Sequence, residues 1–330
     1  MYYSFVIPVF NRPEEIDELL QSLTQQLYTK DFEVVVVEDG STVTCEQVVE
    51  KYHTHLNISY YFKPNSGPGD SRNYGMRVAK GNYYIILDSD CIIPPNYLNE
   101  VDAFLETSYV DCFGGPDSAH ESFSDIQKAI NQSMTSFLTT GGIRGGSEKL
   151  GRFQPRSFNM GISEKAFEAS GGFGKIHPGE DPDLSIRLWN LGFKTALIPN
   201  AYVFHKRRID WEKFYNQVHK FGKARPILNQ RYPEYRKITY WFPAAFSAGS
   251  ILSIILLMFG IYWLIGVYFL YILILFTESF IKTKSIKIAF LTINAVLVQF
   301  FGYGAGFLRS YYLLNIRKHD PETAMPEMFF

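Results

Sequence analysis

The sequence predicts a doubly wound α/β domain followed by a membrane-embedded C-terminal region. Three observations carry this prediction: strand and helix signals alternate over residues 1–110, Phe32–Val37 reads FEVVVV, and none of the 39 positions from Thr239 to Thr277 is charged. A continuous β-branched run marks a strand buried on both faces of a parallel sheet. Strands separated by helices build right-handed βαβ units. A membrane helix needs about 20 apolar residues, so the uncharged run exceeds a single span, and a buried core helix does not account for it.

The elements follow in order. Ser4–Val9 is a short apolar strand that ends at the turn Asn11-Arg12-Pro13, and Ile16, Leu19, Leu20 and Leu23 then recur at helical spacing. The strand Phe32–Val37 stops at Glu38-Asp39-Gly40-Ser41. A helix over 45–54, a strand at Ile58–Phe62, a helix from Gly69 to Ala79 and a strand at Tyr83–Leu87 complete the pattern. Ligands of such sheets lie beyond the carboxyl ends of the strands. Acidic residues stand there: Asp39 after the second strand, Asp88 and Asp90 after the fourth. The stretch 141–152, with five glycines, is expected to be a mobile loop. An apolar-polar unit, Phe158–Phe173, leads into Pro178-Gly179-Glu180-Asp181-Pro182-Asp183. That acidic turn opens a helix, Leu184–Leu191, which stops at Gly192.

Composition sets the class. The 330 residues carry 32 Lys+Arg against 33 Asp+Glu, a net charge of −1, with 46% hydrophobic and 20% charged residues. This excludes a disordered chain, and the length suits one domain of about 200–250 residues plus a second region. Three scattered cysteines, Cys45, Cys91 and Cys112, exclude a disulfide scaffold or zinc knuckle and point to a reducing compartment. No basic segment followed by an apolar core opens the sequence, so no cleavable signal peptide is expected. Neither an internal repeat nor a low-complexity tract is evident.

The balanced charge hides a segregation. His205–Lys237 holds ten Lys/Arg and three acids, so those 33 residues are +7 and the rest of the chain −8. An excess of Lys/Arg beside a membrane segment predicts a cytoplasmic location for the domain before it. Within this region Trp211, Phe214, Tyr215, Val218 and Phe221 share one helical face. That helix is expected either to lie in the membrane interface or to pack on the sheet. The 39-residue run reads as two short spans joined near Gly260, or as one span and an interfacial segment. Lys282, Lys284 and Lys287 favour the hairpin, yet Arg309, Arg317 and Lys318 ask for the same side, which three full spans do not allow. The uncharged stretch Ile288–Leu308, with Asn294, Gln299, Gly302, Gly304 and Gly306, is the weakest candidate, and a re-entrant course is open. The expected division is a catalytic domain at 1–225, a basic linker at 226–238, two or three membrane segments within 239–310, and a tail at 311–330.

Several acids carry chemical potential. Asp88-Ser89-Asp90 follows YYIIL directly, and two carboxylates two residues apart can share a hard divalent cation while leaving room for phosphate oxygens. The same triplet is also what an acidic turn capping the next helix would look like. Asp39 before Gly40 is equally a turn residue, Arg72 a phosphate partner or a solvated arginine, and Glu180-Asp181 favourable carboxylates in a first helical turn.

In combination these segments resemble the inverting family 2 glycosyltransferases of the GT-A fold, over roughly residues 3–225. The resemblance rests on VIPVFNR (6–12), VEDGS (37–41), NSGPGDSRNYG (65–75), DSD (88–90), SGGF (170–173) and GEDPDLSIRLWNLGF (179–193), in that order. It implies that Pro8 and Asn11 line the nucleotide pocket, that Asp39 accepts from the nucleobase, and that Glu38 stands where the family more often has Asp. It also implies Arg72 near nucleobase and phosphates, Asp88 at the ribose, and Asp90 on a metal, Mn²⁺ or Mg²⁺, that bridges the diphosphate. His205 resembles a late histidine able to reach the metal or the diphosphate. Asp181 resembles the base that takes the proton from the acceptor hydroxyl, with Glu180 on the acceptor side.

The reading that follows is a membrane-anchored, metal-dependent inverting transferase. It would use a nucleotide-diphosphate sugar, most readily a UDP-sugar, and a hydroxyl of a glycan or lipid-linked acceptor in cell-surface polysaccharide synthesis. Membrane lipids are expected partners and nucleic acid is not. The alternatives are a polyprenyl-phosphate glycosyltransferase, whose anionic acceptor needs no base, and a non-catalytic sugar-nucleotide-binding scaffold. A processive polysaccharide synthase is disfavoured because no Q-x-x-R-W motif follows the Glu-Asp pair.

Overall fold

Strand β1 (Tyr3–Val9), helix α1 (Pro13–Thr24), β2 (Phe32–Asp39), α2 (Glu46–Glu50), β3 (Ile58–Lys63), α3 (Pro68–Val78) and β4 (Tyr83–Leu87) succeed one another as the alternation predicts. In this computed structural model residues 1–118, 120–140, 152–206 and 210–330 are described. The expected mobile loop at 141–152 lies, except for Arg152, outside them. Pro13 opens α1, where its missing N–H costs nothing. Strand alternation separates two apolar layers. Phe5, Ile7, Ile85 and Leu87 point to α1, whose Ile16, Leu19, Leu20 and Leu23 are buried with them. Val6, Tyr84 and Ile86 point the other way, where Met76 of α3 and Leu184 and Leu188 cover them.

The chain continues through β5 (Cys91–Ile92), α4 (Tyr97–Thr107), β6 (Cys112–Gly114) and β7 (Asp117–Ser118). After α5 (Asp125–Thr135) and α6 (Phe137–Thr140) come β8 (Asn159–Ser163), α7 (Glu164–Ser170), α8 (Glu180–Asn190), β9 (Thr195–Leu197) and β10 (Val203–His205). The main sheet has the order β3-β2-β1-β4-β8-β6-β9. Its first four strands are parallel, but β8 runs antiparallel to both β4 and β6, so the sheet is mixed. Gly161 permits this insertion, because a Cβ there would overlap the Phe113 ring of β6. A second sheet, β5-β10-β7, sets His205 opposite Cys91. The three cysteines are free and buried.

Two compact units result. The described part of the first comprises residues 1–118, 120 and 152–206 with Phe330, and that of the second comprises 121–140 and 210–329. In the second unit α9 (Trp211–Arg231) is longer than the aromatic face suggested and passes through residue 225 without a break, so the stretch expected as a linker begins inside a helix. Phe214 and Val218 of α9 are buried with Ile130 and Met134 of α5 and with Ala295.

The uncharged run forms α10 (Phe242–Met258) and α11 (Trp263–Thr283), which meet at Gly260 with φ 75°. The last stretch is one continuous helix, α12 (Ile286–Tyr311). Counted from Ile238 for α10 and to Ile316 for α12, all three are long and apolar enough to cross a membrane. The glycines of α12 are contact points. Gly302 faces Val218 and Tyr215, Gly306 faces the His219 carbonyl, and Gly304 faces Pro243 and Ala244 of α10. Gly222 of α9 meets the Tyr303 carbonyl in return. Backbones approach this closely only where no side chain intervenes. Gly306→Val is therefore expected to destabilise the second unit by about 1–3 kcal/mol or more, read as a lowered melting temperature in detergent. Gly266→Ala, whose new Cβ meets nothing within 4 Å, should leave it nearly unchanged.

Candidate active site

The carboxyl ends of β2 and β4 and the start of α8 supply the acids, and the end of β1 supplies Asn11 and Arg12. At the end of β1, Asn11 takes φ 54°. Its N–H donates to Ser41 Oγ at 2.7 Å, and its side-chain oxygen accepts from the Thr42 and Val43 amides at 2.8 and 3.0 Å. Pro8, partly buried, lies opposite Val37 in the β1–β2 register. Glu38 is fully buried, and its carboxylate accepts from Ser41 Oγ, from the Cys45 amide at 2.7 Å and from Tyr60 at 3.3 Å. Those partners fix the turn after β2. Asp39 accepts from Lys63 Nζ at 2.6 Å and from the Ser66 and Gly67 amides, both at 3.0 Å. It thereby anchors the loop that opens α3. Beside this loop an open pocket runs from Gly69 and Asn73 to Phe173 and His177, and the Phe330 ring rests on Gly67.

A second group centres on Arg72. Its side chain is 4% exposed and bridges Asp88, Nη2 to Oδ1 at 2.7 Å, and Glu180, Nη1 to Oε1 at 3.1 Å. The guanidinium also lies 5.3 Å from the Phe173 ring centre. Burial works against its charge, but Asp88, Glu180 and Asp181 outweigh that and raise its pKa. The SGGF segment is latched in place. Asn73 exchanges hydrogen bonds with Phe173 at 2.8 and 2.9 Å, and Arg187 donates to the Ser170 and Gly172 carbonyls at 2.5 and 2.6 Å.

The helix of the acidic motif starts at Glu180, earlier than the apolar spacing implied, because Gly179 with φ 126° turns the chain directly into it. Its two neighbouring carboxylates have opposite surroundings. Glu180 accepts from its neighbour Gly179's amide at 2.9 Å and lies 3.0 Å from His177 Nδ1 as well as beside Arg72. Burial alone would raise its pKa, yet His177 and Arg72 hold it below the usual carboxylate range. Asp181 Oδ1 is shielded from solvent and has no hydrogen-bond partner among the described residues. Burial first, then the charge of Glu180, push the Asp181 pKa up, against Arg72 and Arg156. A carboxylate with a free oxygen and a raised pKa is what a general base requires.

The third group joins the two sheets. Asp90 Oδ2 lies 2.6 Å from Arg12 Nη1, and Asp90 Oδ1 lies 3.2 Å from His205 Nε2. His205, here the last residue of β10, stacks on Phe158 and has Asp117 at 3.9 Å from Nδ1. Asp90, Cys91 and His205 present ligand atoms within 4.8 Å of one another. The Cys91 thiol is buried, donates to the Phe158 carbonyl at 3.4 Å, and is held protonated by that burial. The pair that fits a hard divalent cation is thus a carboxylate and an imidazole, with other positions free for water and phosphate oxygens.

The structure brings Arg72, Asp88 and Glu180 into one network, and Asp90 and His205 into another. Arg12, Lys63, Asp117, His177 and Phe330 join these groups without having been singled out from sequence. Only Arg12 had a signal, its place in VIPVFNR, and Lys63 gives none because its partner Asp39 is 24 residues away.

A family model matches part of the chain. Residues 4–167 match glycosyl transferase family 2. The chain carries a glycosyl transferase family 2 domain. Among curated relatives, the poly(ribitol-phosphate) β-N-acetylglucosaminyltransferase TarS of Staphylococcus aureus is 39% identical over 114 residues, covering 34% of this chain and 20% of TarS. Chondroitin synthase of Escherichia coli is 27% identical over 270 residues, covering 71% of this chain and 39% of the synthase. The chain thus spans a fifth to two fifths of these relatives' lengths. Two solved structures share the family 2 domain's GT-A fold. Staphylococcus aureus TarS in complex with UDP-GlcNAc matches at TM-score 0.50 and 23% identity, covering 73% of this chain and 75% of that one. A mannosyltransferase of Pyrobaculum calidifontis with GDP-Man and Mn²⁺ matches at 0.58 and 14%, covering 94% and 87%.

Proposed function

We propose that this protein is a membrane-anchored, metal-dependent, inverting glycosyltransferase. In this reading it moves a sugar from a nucleotide-diphosphate donor, a UDP-sugar, to a hydroxyl of a glycan or lipid-linked acceptor at the cell surface. The observation that carries the reading is the contrast between Glu180, held ionised by Arg72 and His177, and Asp181, whose Oδ1 is free and whose pKa is raised. Single displacement needs one base and no nucleophilic side chain. The named relatives support the acceptor class: one glycosylates poly(ribitol phosphate), the other synthesises chondroitin. The TarS complex supports a UDP-sugar.

The residues divide the work as follows. Asp39, Pro8 and Asn11 shape the nucleoside end, with Glu38 bracing the turn from below. Asp88 and Arg72 lie toward ribose and phosphates. Asp90 and His205 would hold a divalent cation, Mn²⁺ or Mg²⁺, which when bound neutralises charge building on the diphosphate leaving group. Arg12 brings a further positive charge to the same carboxylate. Glu180 fixes Arg72 and the start of α8, and Asp181 takes the acceptor proton as the acceptor oxygen attacks the anomeric carbon.

Nucleotide release from a panel of UDP-, GDP- and dTDP-sugars by full-length protein in detergent, with and without Mn²⁺, tests this. Release from a UDP-sugar that depends on the metal is expected, and none from any donor would refute the reading. The pH profile gives a second expectation. Asp181 must be ionised, so turnover at saturating donor and metal should fall as pH drops through its pKa, raised to about 6. Glu180→Gln removes a negative neighbour and should move that limb to lower pH. An unmoved limb would detach it from Asp181.

A further inference from the structure

We propose that α10 and α11 enter the bilayer together as a hairpin, whereas α12 lies outside the hydrocarbon on the face where the hairpin enters. All three helices pass the test of length and hydropathy, but their surroundings differ. Protein buries 17% of the apolar window of the first and 11% of the second, against 50% for α12. On α10 and α11, large side chains such as Ile251, Ile254, Phe269 and Leu273 are exposed. Lipid is the partner that such two-sided apolar exposure fits.

The ends of the hairpin agree. Tyr240 and Trp241 precede α10, and Tyr262 and Trp263 stand at the turn, so aromatic pairs mark both limits, as at membrane–water interfaces. The turn is closed on itself: the Phe259, Gly260 and Ile261 amides bond the Leu256 and Leu257 carbonyls. At the other end, Glu278 pairs with Lys282 at 2.7 Å and accepts from Ser136 of the segment before α6 at 2.6 Å. Charge thus returns where the hairpin leaves the lipid.

Helix α12 is clad on one side by the charged helices α5 and α9, and on another it packs on Phe246 of α10 and Leu275 of α11 through Val296 and Phe300. Lys287 at its start pairs with Asp125 of α5 at 2.7 Å. Ala295 packs with Ile130, Met134 and Phe214, Gly302 and Gly306 touch α9, and Ser310 Oγ donates to the Lys223 carbonyl at 2.9 Å. From Lys287 to Ser310 this contact runs about 35 Å at 1.5 Å per residue, longer than the hydrocarbon is thick. The outer face of α9 exposes Glu212, Lys213 and Lys220. If α12 crossed, those charges would be carried into lipid beside it, where charge is strongly disfavoured.

The same arrangement removes the conflict in charge topology. Lys/Arg cluster before α10, around the junction of α11 and α12 (Lys282, Lys284, Lys287), and from the last turn of α12 onward (Arg309, Arg317, Lys318). A hairpin followed by a helix that does not cross puts all three clusters on one side. A third crossing would put the last on the other.

The test uses full-length protein in sealed membrane vesicles of both orientations, with Lys284→Cys and His319→Cys made separately and probed with a membrane-impermeant maleimide. The unsubstituted protein, whose three cysteines are buried, is the blank. Both variants should label in the same vesicle orientation, and alkaline carbonate should leave the protein in the membrane pellet. Labelling in opposite orientations would show that α12 crosses and overturn the proposal. Release by carbonate would overturn insertion of the hairpin. Neither readout depends on transferase activity.

Discussion

Asp181→Asn is expected to lower turnover by about 10²–10⁴-fold, the usual contribution of a positioned general base, while nucleotide binding stays near that of the unsubstituted protein. The amide keeps the shape of the side chain but cannot accept the acceptor's proton at neutral pH. Donor contacts should persist, because the Arg72–Asp88 pair and the Asp90–His205 pair do not involve Asp181. Initial rates of nucleotide release and calorimetry with the free nucleotide separate the two effects. Near-normal transfer would mean that the acceptor arrives already ionised, and the polyprenyl-phosphate reading would then move ahead. Lost binding and lost rate together would instead mark Asp181 as structural.

Asp90→Ala carries the second large effect. It removes a carboxylate that joins Arg12 at 2.6 Å and His205 at 3.2 Å. Loss of an outer partner of a metal ligand costs about 10–100-fold in affinity, so loss of the ligand itself should exceed that. Calorimetry with UDP should show binding that Mn²⁺ strengthens in the unsubstituted protein and leaves unchanged in the variant. An equal response to Mn²⁺ in both would remove Asp90 and its partner His205 from the metal site.

Much of the first unit was legible because its strands and helices obey simple periods. FEVVVV became an interior strand, Ile16 to Leu23 became the buried face of α1, and the acids fell at strand ends. What was not legible depends on partners distant in sequence. The two-residue strands β5 and β7 have no pattern of their own, and they exist because the strand-like segment ending at His205, β10, pairs with both across the chain. The close packing of β8 on β6 rests on Gly161 making room for Phe113, a contact no local rule reveals. The Arg12–Asp90 pair joins residues 78 apart.

The second unit shows a different limit. Gly302, Gly304 and Gly306 lower helix propensity, which made Ile288–Leu308 look weak as a span. In the fold these glycines are where α9 and α10 come closest to α12. The aromatic face of α9 was visible, but its partner was not, because helical spacing identifies an apolar face without saying what covers it. At the site the residue types could be read and their states could not. Glu180 and Asp181 are adjacent acids in sequence, but His177 and Arg72 hold the first down against its burial, while burial and the charge of Glu180 push the second up.

The measurement that tests the account most directly follows the sugar itself. Full-length protein with Mn²⁺ and the α-linked UDP-sugar that supports nucleotide release would be observed by time-resolved proton NMR, reading the anomer formed first, whether by transfer or by slow hydrolysis. Single displacement assisted by Asp181 predicts the β anomer at the outset, with the same stereochemistry and a much slower rate in Asp181→Asn. Initial formation of the α anomer, or a rate unaffected by that substitution, would contradict the account.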